Sequence, residues 1–159
     1  MNLKTNVLII GAGQMGLVLA SRLKALNIDY LILDKHEQVG DQWRKRYQGL
    51  TLFTPNQLNR LPGFYTPNSQ DDYLTKDEFA DYLSEFALFN KLEIQTNCKV
   101  VKITHDGVND FSIFTEHGVI KAKQIVLATG AFNVPAKLFN GDTAFLQLGL
   151  EQLQSMNFK

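Results

Sequence analysis

The sequence predicts an α/β fold in which a parallel sheet with a βαβ core carries a small antiparallel β-meander laid over it. Three observations predict it. Two short, unbroken apolar runs, at residues 7–10 and 30–33, read as strands buried on both faces. A glycine turn and a segment of helical periodicity separate them, so strand, helix and strand form one unit with a right-handed crossover. Further short runs, with turn residues between them, follow a second helical segment and read as antiparallel strands.

The first strand stops at Gly11. Over residues 14–27 the apolar residues Met15, Val18, Leu19, Leu23 and Leu26 recur at helical spacing, which predicts a helix with these on its buried stripe. Asp34 closes the second strand. Residues 36–76 show no period. They hold Pro55, Pro62 and Pro67 with Gly40, Gly49 and Gly63. They also hold Trp43, Tyr47, Leu50, Leu52, Phe53, Leu58, Leu61, Phe64 and Tyr65, which a solvated linker would lack. The segment is therefore predicted to pack against the rest. Thr75 and Glu78 have the spacing of a capping box, opening a helix that runs to about Phe89 with Phe79, Tyr82, Leu83 and Phe86 buried. Strands at 92–95, 99–105, 111–115 and 119–122 form the predicted meander, with Asp106-Gly107 and His117-Gly118 as turns. A last buried strand at 124–128 leads into Thr129-Gly130. Residues 146–156 have a helical pattern but no recognisable chemistry.

The bulk composition excludes several classes. A chain of 159 residues fits one domain, and 45% apolar content is enough for a core. Formal net charge is zero, and the basic run Arg44-Lys45-Arg46 is too short to mark a polyanion surface, so no nucleic-acid partner is expected. The single cysteine, Cys98, allows no internal disulfide and no CxxC pair, which favours a reducing compartment. No run reaches the roughly 20 apolar residues of a membrane span, and the N-terminus lacks a secretory pattern. The expectation is a cytoplasmic protein without a membrane partner. His36, His105 and His117 have no metal-ligand spacing and read as surface or turn residues. Cys98 lacks a basic neighbour and reads as a buried structural thiol. Asp71, Asp72, Asp77, Glu78 and Asp81 read as charges around a helix start and on a solvated face.

Chemistry concentrates in Gly11-Ala12-Gly13-Gln14-Met15-Gly16. Glycines are common in turns, so the context decides. Here GxGxxG follows a buried strand, opens a helix, and is followed by an acidic residue at the end of the next strand. Gly11 permits the tight turn, Gly13 lets a pyrophosphate approach the backbone, and Gly16 lets helix and strand pack closely. The helix N-terminus offers N–H groups and positive dipole to phosphate. Asp34 is placed to accept hydrogen bonds from ribose hydroxyls. This is a Rossmann-like dinucleotide site, and the motif alone does not separate NAD from FAD.

The next segment does. Val39-Gly40-Asp41-Gln42-Trp43-Arg44-Lys45-Arg46-Tyr47, followed by Leu50-Thr51-Leu52-Phe53-Thr54-Pro55, resembles the flavin-containing monooxygenase-like family of FAD-dependent NAD(P)H oxidoreductases. That family shows a Gly-Gly/Asp-x-Trp-x-x-Arg-Tyr stretch and then Leu-x-Leu-Phe-Thr-Pro. Val100 and Ala128-Thr129-Gly130 match further family positions. The resemblance implies FAD as cofactor, with Gly11, Gly13, Gln14, Met15 and Gly16 at the pyrophosphate. Asp34 and Lys35 would lie at the adenosine end. Gln42, Trp43 and Arg44 would lie along the cofactor, Thr54 near the flavin ring, Val100 at the adenine, and Ala128, Thr129 and Gly130 beside the cofactor. It also implies flavin reduction by NADPH and activation of O2 in the full-length family. No catalytic side chain is singled out.

The resemblance covers residues 5 to about 135. The chain has no second glycine motif for NADPH. The expected organisation is an FAD-binding domain at 1–135 and a C-terminal segment at 136–159 of uncertain structure, with the NADPH domain absent. The chain is thus expected to be a fragment, a truncated product or a small stand-alone flavoprotein. NADPH would serve only a full-length or complemented form. The alternative is a non-catalytic flavin- or dinucleotide-binding module, or an inactive truncated remnant, acting only with a partner if at all; a homo-oligomer or a partner subunit is the association considered. The substrate is not readable.

Overall fold

The computed structural model describes residues 3–65, 69–105, 107 and 110–130. The C-terminal segment 136–159, with its helical reading at 146–156, lies outside the described residues, as do Pro67 and Asp106. Among the described residues the order is β1 (Leu3–Ile10), α1 (Gln14–Ala25), β2 (Tyr30–Leu33), α2 (Asp41–Arg44), α3 (Asn56–Asn59) and α4 (Lys76–Phe89). There follow β3 (Ile94–Gln95), β4 (Val100–His105), β5 (Phe111–Thr115) and β6 (Gly118–Leu127). The strands form one six-stranded sheet in the order β3-β2-β1-β6-β5-β4. The α/β class, the βαβ unit and the antiparallel part are all present.

Two strand assignments differ from the sequence reading. The runs at 119–122 and 124–128 are one strand, β6, which pairs parallel to β1 from Ile120 to Leu127 and antiparallel to β5 from Gly118 to Ala122. The shared strand joins the meander to the parallel core. The run at 92–95 supplies only β3, which pairs parallel to β2 on the opposite edge (Ile32 beside Ile94, Leu33 beside Gln95). Alternation within a run cannot say which neighbour it pairs with; the crossing of α4 over the sheet decides that.

The sheet buries both faces. On one, Val7, Ile9 and Ile32 meet Leu17 and Ala20 of α1 and Phe79, Tyr82, Leu83 and Phe86 of α4. On the other, Leu8 and Leu33 cluster with Cys98, Ile113, Ile120 and Ala122. Val18, Leu19 and Leu23 of the predicted stripe pack against the core, but the most buried face of α1 lies to one side of them. Gly16, Leu17 and Ala20 are its buried residues, while Met15 and Leu26 are 72% and 68% exposed. Small residues on this face let the helix axis approach the strands, so close approach prevails over the larger apolar residues. Helix α4 starts as predicted: Thr75 Oγ1 accepts from the Glu78 N–H at 3.3 Å, and Glu78 Oε2 accepts from the Thr75 N–H at 2.8 Å.

The aperiodic segment does pack, in part. Leu50, Leu52, Leu61 and Leu74 enter the core, and Trp43, Tyr47 and Phe64 pack at its margin. The Tyr82 hydroxyl pins the loop, accepting from the Leu61 N–H at 2.7 Å and donating to the Phe64 carbonyl at 3.1 Å. Phe53, Leu58 and Tyr65 stand exposed, with the Arg60 guanidinium over the Tyr65 ring at 5.4 Å. No helix among the described residues is long and apolar enough to cross a membrane.

Candidate functional site

Parallel pairing places three strand ends level. Ile10 of β1 lies opposite Leu33 of β2 and opposite Leu127 of β6. Gly11, Asp34 and Ala128 therefore leave the sheet side by side. Backbone hydrogen bonds hold them there: the Gly11 N–H donates to the Leu33 carbonyl at 2.8 Å, and the Ala128 N–H to that of Ile10 at 2.9 Å. Such carboxyl ends of parallel strands, where connections diverge to either side, are where α/β sheets bind ligands. A cleft of about 600 Å³ opens here.

Gly11, Gly13, Asp34, Lys35, Gln42, Val100, Ala128, Thr129 and Gly130 all line this cleft. Sequence positions spread over nearly 120 residues thus converge. Ile10, Leu33, His36, Cys98 and Lys99 line it as well and were not anticipated. Ile10 and Leu33 end the strands beside the motif, and Lys99 directly precedes Val100, so adjacency was an available signal. Cys98 arrives through tertiary structure: its N–H donates to the Asp34 carbonyl at 2.8 Å.

The glycines differ in why they are glycine. Gly11 has φ +112°, and an added Cβ would lie 2.3 Å from the Ala128 carbonyl oxygen. At Gly16 an added Cβ would lie 2.0 Å from the Gly11 carbonyl oxygen. Gly13 has the ordinary extended conformation φ −81°, ψ −177°, and its Cβ position meets nothing within 4 Å. The protein's own packing makes no demand for glycine at that position.

Gly13 is also the N-cap of α1. It supplies no side-chain cap, and the first turn of α1 holds no acidic residue. No side chain at the cap or in the first turn offsets the positive end of this helix. Helix α4 is the contrast, with a capping box plus Asp77 and Glu78 in its first turn.

Both carboxylate oxygens of Asp34 already accept one backbone hydrogen bond: Oδ2 from Ala12 N–H at 2.7 Å, Oδ1 from His36 N–H at 2.8 Å. These bonds orient the carboxylate and leave lone pairs for hydroxyl donors. Cys98 is buried, and burial is the main reason its thiol pKa is pushed up; a hydrogen bond from Thr115 opposes this and the Glu116 charge adds to it. A thiol held neutral is a poor nucleophile.

Gln14, Met15, Gly16, Trp43, Arg44 and Thr54 lie off the cleft lining. Gln14 and Met15 are exposed on the first turn of α1, and Gly16 is buried beneath it. Trp43 meets Phe79 edge-on, with ring centroids 4.9 Å apart, and the Arg46 guanidinium lies over its ring at 5.3 Å. Arg44 fastens α2 to α4. It donates to the Val39 carbonyl at 2.8 Å and pairs with Asp41 at 3.2 Å and Asp81 at 2.7 Å. Burial lowers the Arg44 pKa, but the hydrogen bonds and charges of Asp81 and Asp41 outweigh it and leave the pKa raised. The Thr54 hydroxyl donates to Asn59 Oδ1 at 2.6 Å.

This chain, with its glycine turn and the 39–55 segment after it, matches one family model over most of its length. The model of the pyridine nucleotide-disulphide oxidoreductases matches residues 8–150. The chain belongs to that family. Within it, the resemblance to flavin monooxygenases read from residues 39–55 is borne out. A CzcO-like oxidoreductase of Geobacillus kaustophilus is 40% identical over 130 residues, which are 82% of this chain and 37% of the relative. The oxidoreductase CzcO of Bacillus subtilis is 32% identical over 130 residues with the same two shares. A double-mutant form of a flavin monooxygenase from Stenotrophomonas maltophilia has the same fold, with TM-score 0.79 and 27% identity over 86% of this chain and 41% of its own. The chain thus spans 37% of the length of the first two relatives.

Proposed function

We propose that the cleft binds FAD and that this chain is the FAD-binding part of a flavin-dependent, monooxygenase-like oxidoreductase. The observation that carries the reading is Gly13, a glycine with no internal reason to be one, at an uncapped helix end facing open space. A pyrophosphate supplies the reason: it approaches the backbone where a side chain would stand, and the N–H groups of α1 neutralise it. Asp34 would accept from the adenosine ribose hydroxyls, with Lys35 beside it. Val100 would lie at the adenine, and Ala128, Thr129 and Gly130 along the opposite wall. Gln42 would contact the cofactor directly. Trp43 and Arg44 would act one step back, by fixing α2. Gln14, Met15 and Gly16 would form the helix turn under the phosphates, and Thr54, beside exposed Phe53, would face the flavin ring.

FAD held here would supply redox chemistry between a nicotinamide donor and oxygen in the full-length form. The residues of this chain bind and orient it, and none is assigned an acid, base or nucleophile role. We take residues 1–135 as the FAD-binding unit, with NADPH as electron donor in a full-length or complemented form. Substrate oxidation belongs to that form, as does any partner subunit or homo-oligomer. We place the protein in the cytoplasm, where a buried, reduced Cys98 is at home.

The test is an absorption spectrum of the purified chain, with FAD added if it is colourless. Near-equimolar flavin supports the reading, and Asp34→Ala should then weaken FAD binding at least about tenfold by loss of a charged hydrogen bond. A folded chain that takes up neither FAD nor NAD overturns it.

A further inference from the structure

Asn59, which the flavin reading above does not use, grips Thr54 at two points. Its Nδ2 donates to the Thr54 carbonyl at 2.8 Å, and the Thr54 hydroxyl donates to its Oδ1 at 2.6 Å. The direction of both bonds follows from what the groups carry. A backbone carbonyl can only accept, so the amide nitrogen is the end that faces it. The oxygen end then faces the hydroxyl, which must give its one proton to it. Asn59 is buried as the last residue of α3, and that short helix is itself pinned. Asn56 at its start is fully buried, with its N–H donating to the Asp72 carbonyl at 2.9 Å and its Nδ2 to the Ser69 carbonyl at 2.8 Å. The Gln57 N–H donates to the Gln70 carbonyl at 3.1 Å. Thr54, by contrast, is exposed, beside the exposed ring of Phe53. Its proton is taken on the protein side, and lone pairs are what the hydroxyl has left to offer a ligand.

We infer that Asn59 is a positioning residue that makes the Thr54 hydroxyl an acceptor only, so that Thr54 selects an N–H on the edge of the ring it faces. The inference rests on the reading that this chain binds FAD with Thr54 toward the flavin ring. The polar edge of an oxidised isoalloxazine carries carbonyl oxygens, bare ring nitrogens and one N–H, that of the imide. A hydroxyl with a free proton could meet any of these, since it donates and accepts equally well. With its proton committed to Asn59, it attracts the imide N–H and disfavours the acceptors. Asn59 thus acts one step from the ligand, through the state of the hydroxyl that it holds.

The test has two parts on the whole chain. Urea unfolding without FAD comes first. Thr54→Val and Asn59→Leu should be strongly non-additive, with the double variant losing little beyond Asn59→Leu alone. Additive losses mean that the two side chains are not joined and overturn the inference. Flavin fluorescence then titrates FAD against FAD methylated on the imide nitrogen. The ratio of the two affinities is insensitive to general damage, which weakens both alike. The unaltered chain should favour FAD about tenfold. Thr54→Val, of nearly equal bulk, should cut that preference about fivefold, and Thr54→Ser should keep most of it. Asn59→Leu should cut it too, because the freed hydroxyl turns its proton outward as readily as its lone pairs. Asn59→Asp, whose carboxylate still takes that proton, should keep the preference despite lower stability. An Asn59→Leu chain, folded by circular dichroism, that retains the full preference overturns the inference. An unaltered chain that binds FAD with no preference overturns it as well and leaves the flavin reading standing. If the unaltered chain takes up no FAD, the flavin reading fails, and the ring contact given to Thr54 fails with it.

Discussion

An added methyl at Gly16 would sit 2.0 Å from one carbonyl oxygen, and a methyl at Gly11 would sit 2.3 Å from another, whereas one at Gly13 would meet open space. The three positions should therefore respond differently to alanine. Gly16→Ala forces backbone apart in a packed turn and should cost about 3 kcal/mol or more in urea unfolding. Gly13→Ala adds no clash, and its N-cap and chain-entropy effects are each small, so stability should move by no more than about 1 kcal/mol. FAD affinity should nevertheless fall at least about tenfold, since the methyl occupies the approach of the pyrophosphate. Unchanged affinity in Gly13→Ala would remove the pyrophosphate from this turn. The motif assigned Gly11 to the turn, Gly13 to a ligand and Gly16 to helix–strand packing; what the sequence could not supply is the atom that enforces glycine at position 11, the carbonyl of Ala128, which is distant in sequence. His36 was passed over because its partners, Gln42 and Lys45, become neighbours only when α2 folds back.

Helix α4 shows how far local rules reach at the scale of one element. Its capping box, its length and its buried face of Phe79, Tyr82, Leu83 and Phe86 all stand as the residues predicted, because cap and periodicity are set within a few turns. Thr75→Ala should remove one capping bond and cost about 1 kcal/mol, with Thr75→Ser close to the unaltered protein, both read from urea midpoints at constant slope. In α1 the same rules placed the helix and the core contacts of Val18, Leu19 and Leu23, but not its most buried residues. The periodic residues Met15 and Leu26 face outward, while Gly16, Leu17 and Ala20 face the sheet. Periodicity weighs size, and here close approach of backbone prevailed. Strand β6 is the complementary case: two short apolar runs around Lys123 and Gln124 became one strand because β1 runs beside both.

At the scale of the whole molecule, three buried acids share one direction of shift. Burial pushes up the phenols of Tyr30 and Tyr82 from 10.0 and the thiol of Cys98 from 9.0. Each binds its proton more tightly folded than unfolded, so each contributes stability that is complete below those ordinary values. That stability is lost as pH rises through the raised ones. The melting temperature should hold steady from about pH 7 to 8.5 and fall progressively above about pH 9, and Tyr82→Phe or Cys98→Ala should flatten part of that fall. A profile independent of pH up to about 11 would show these groups exposed in solution. By itself the sequence determined the α/β class, the βαβ unit, the glycine turn with its acidic partner, and a flavin-family signature over residues 39–55. All of these are written in residues near one another in the chain, where sterics, capping and periodicity act. Only the tertiary structure decided that Gly11, Asp34 and Ala128 end level at one cleft, that Trp43 and Arg44 brace the wall behind it, and that His36 faces Gln42. Those relations depend on strand register and on the packing of α4 across the sheet, and both are settled by burial between segments far apart in sequence.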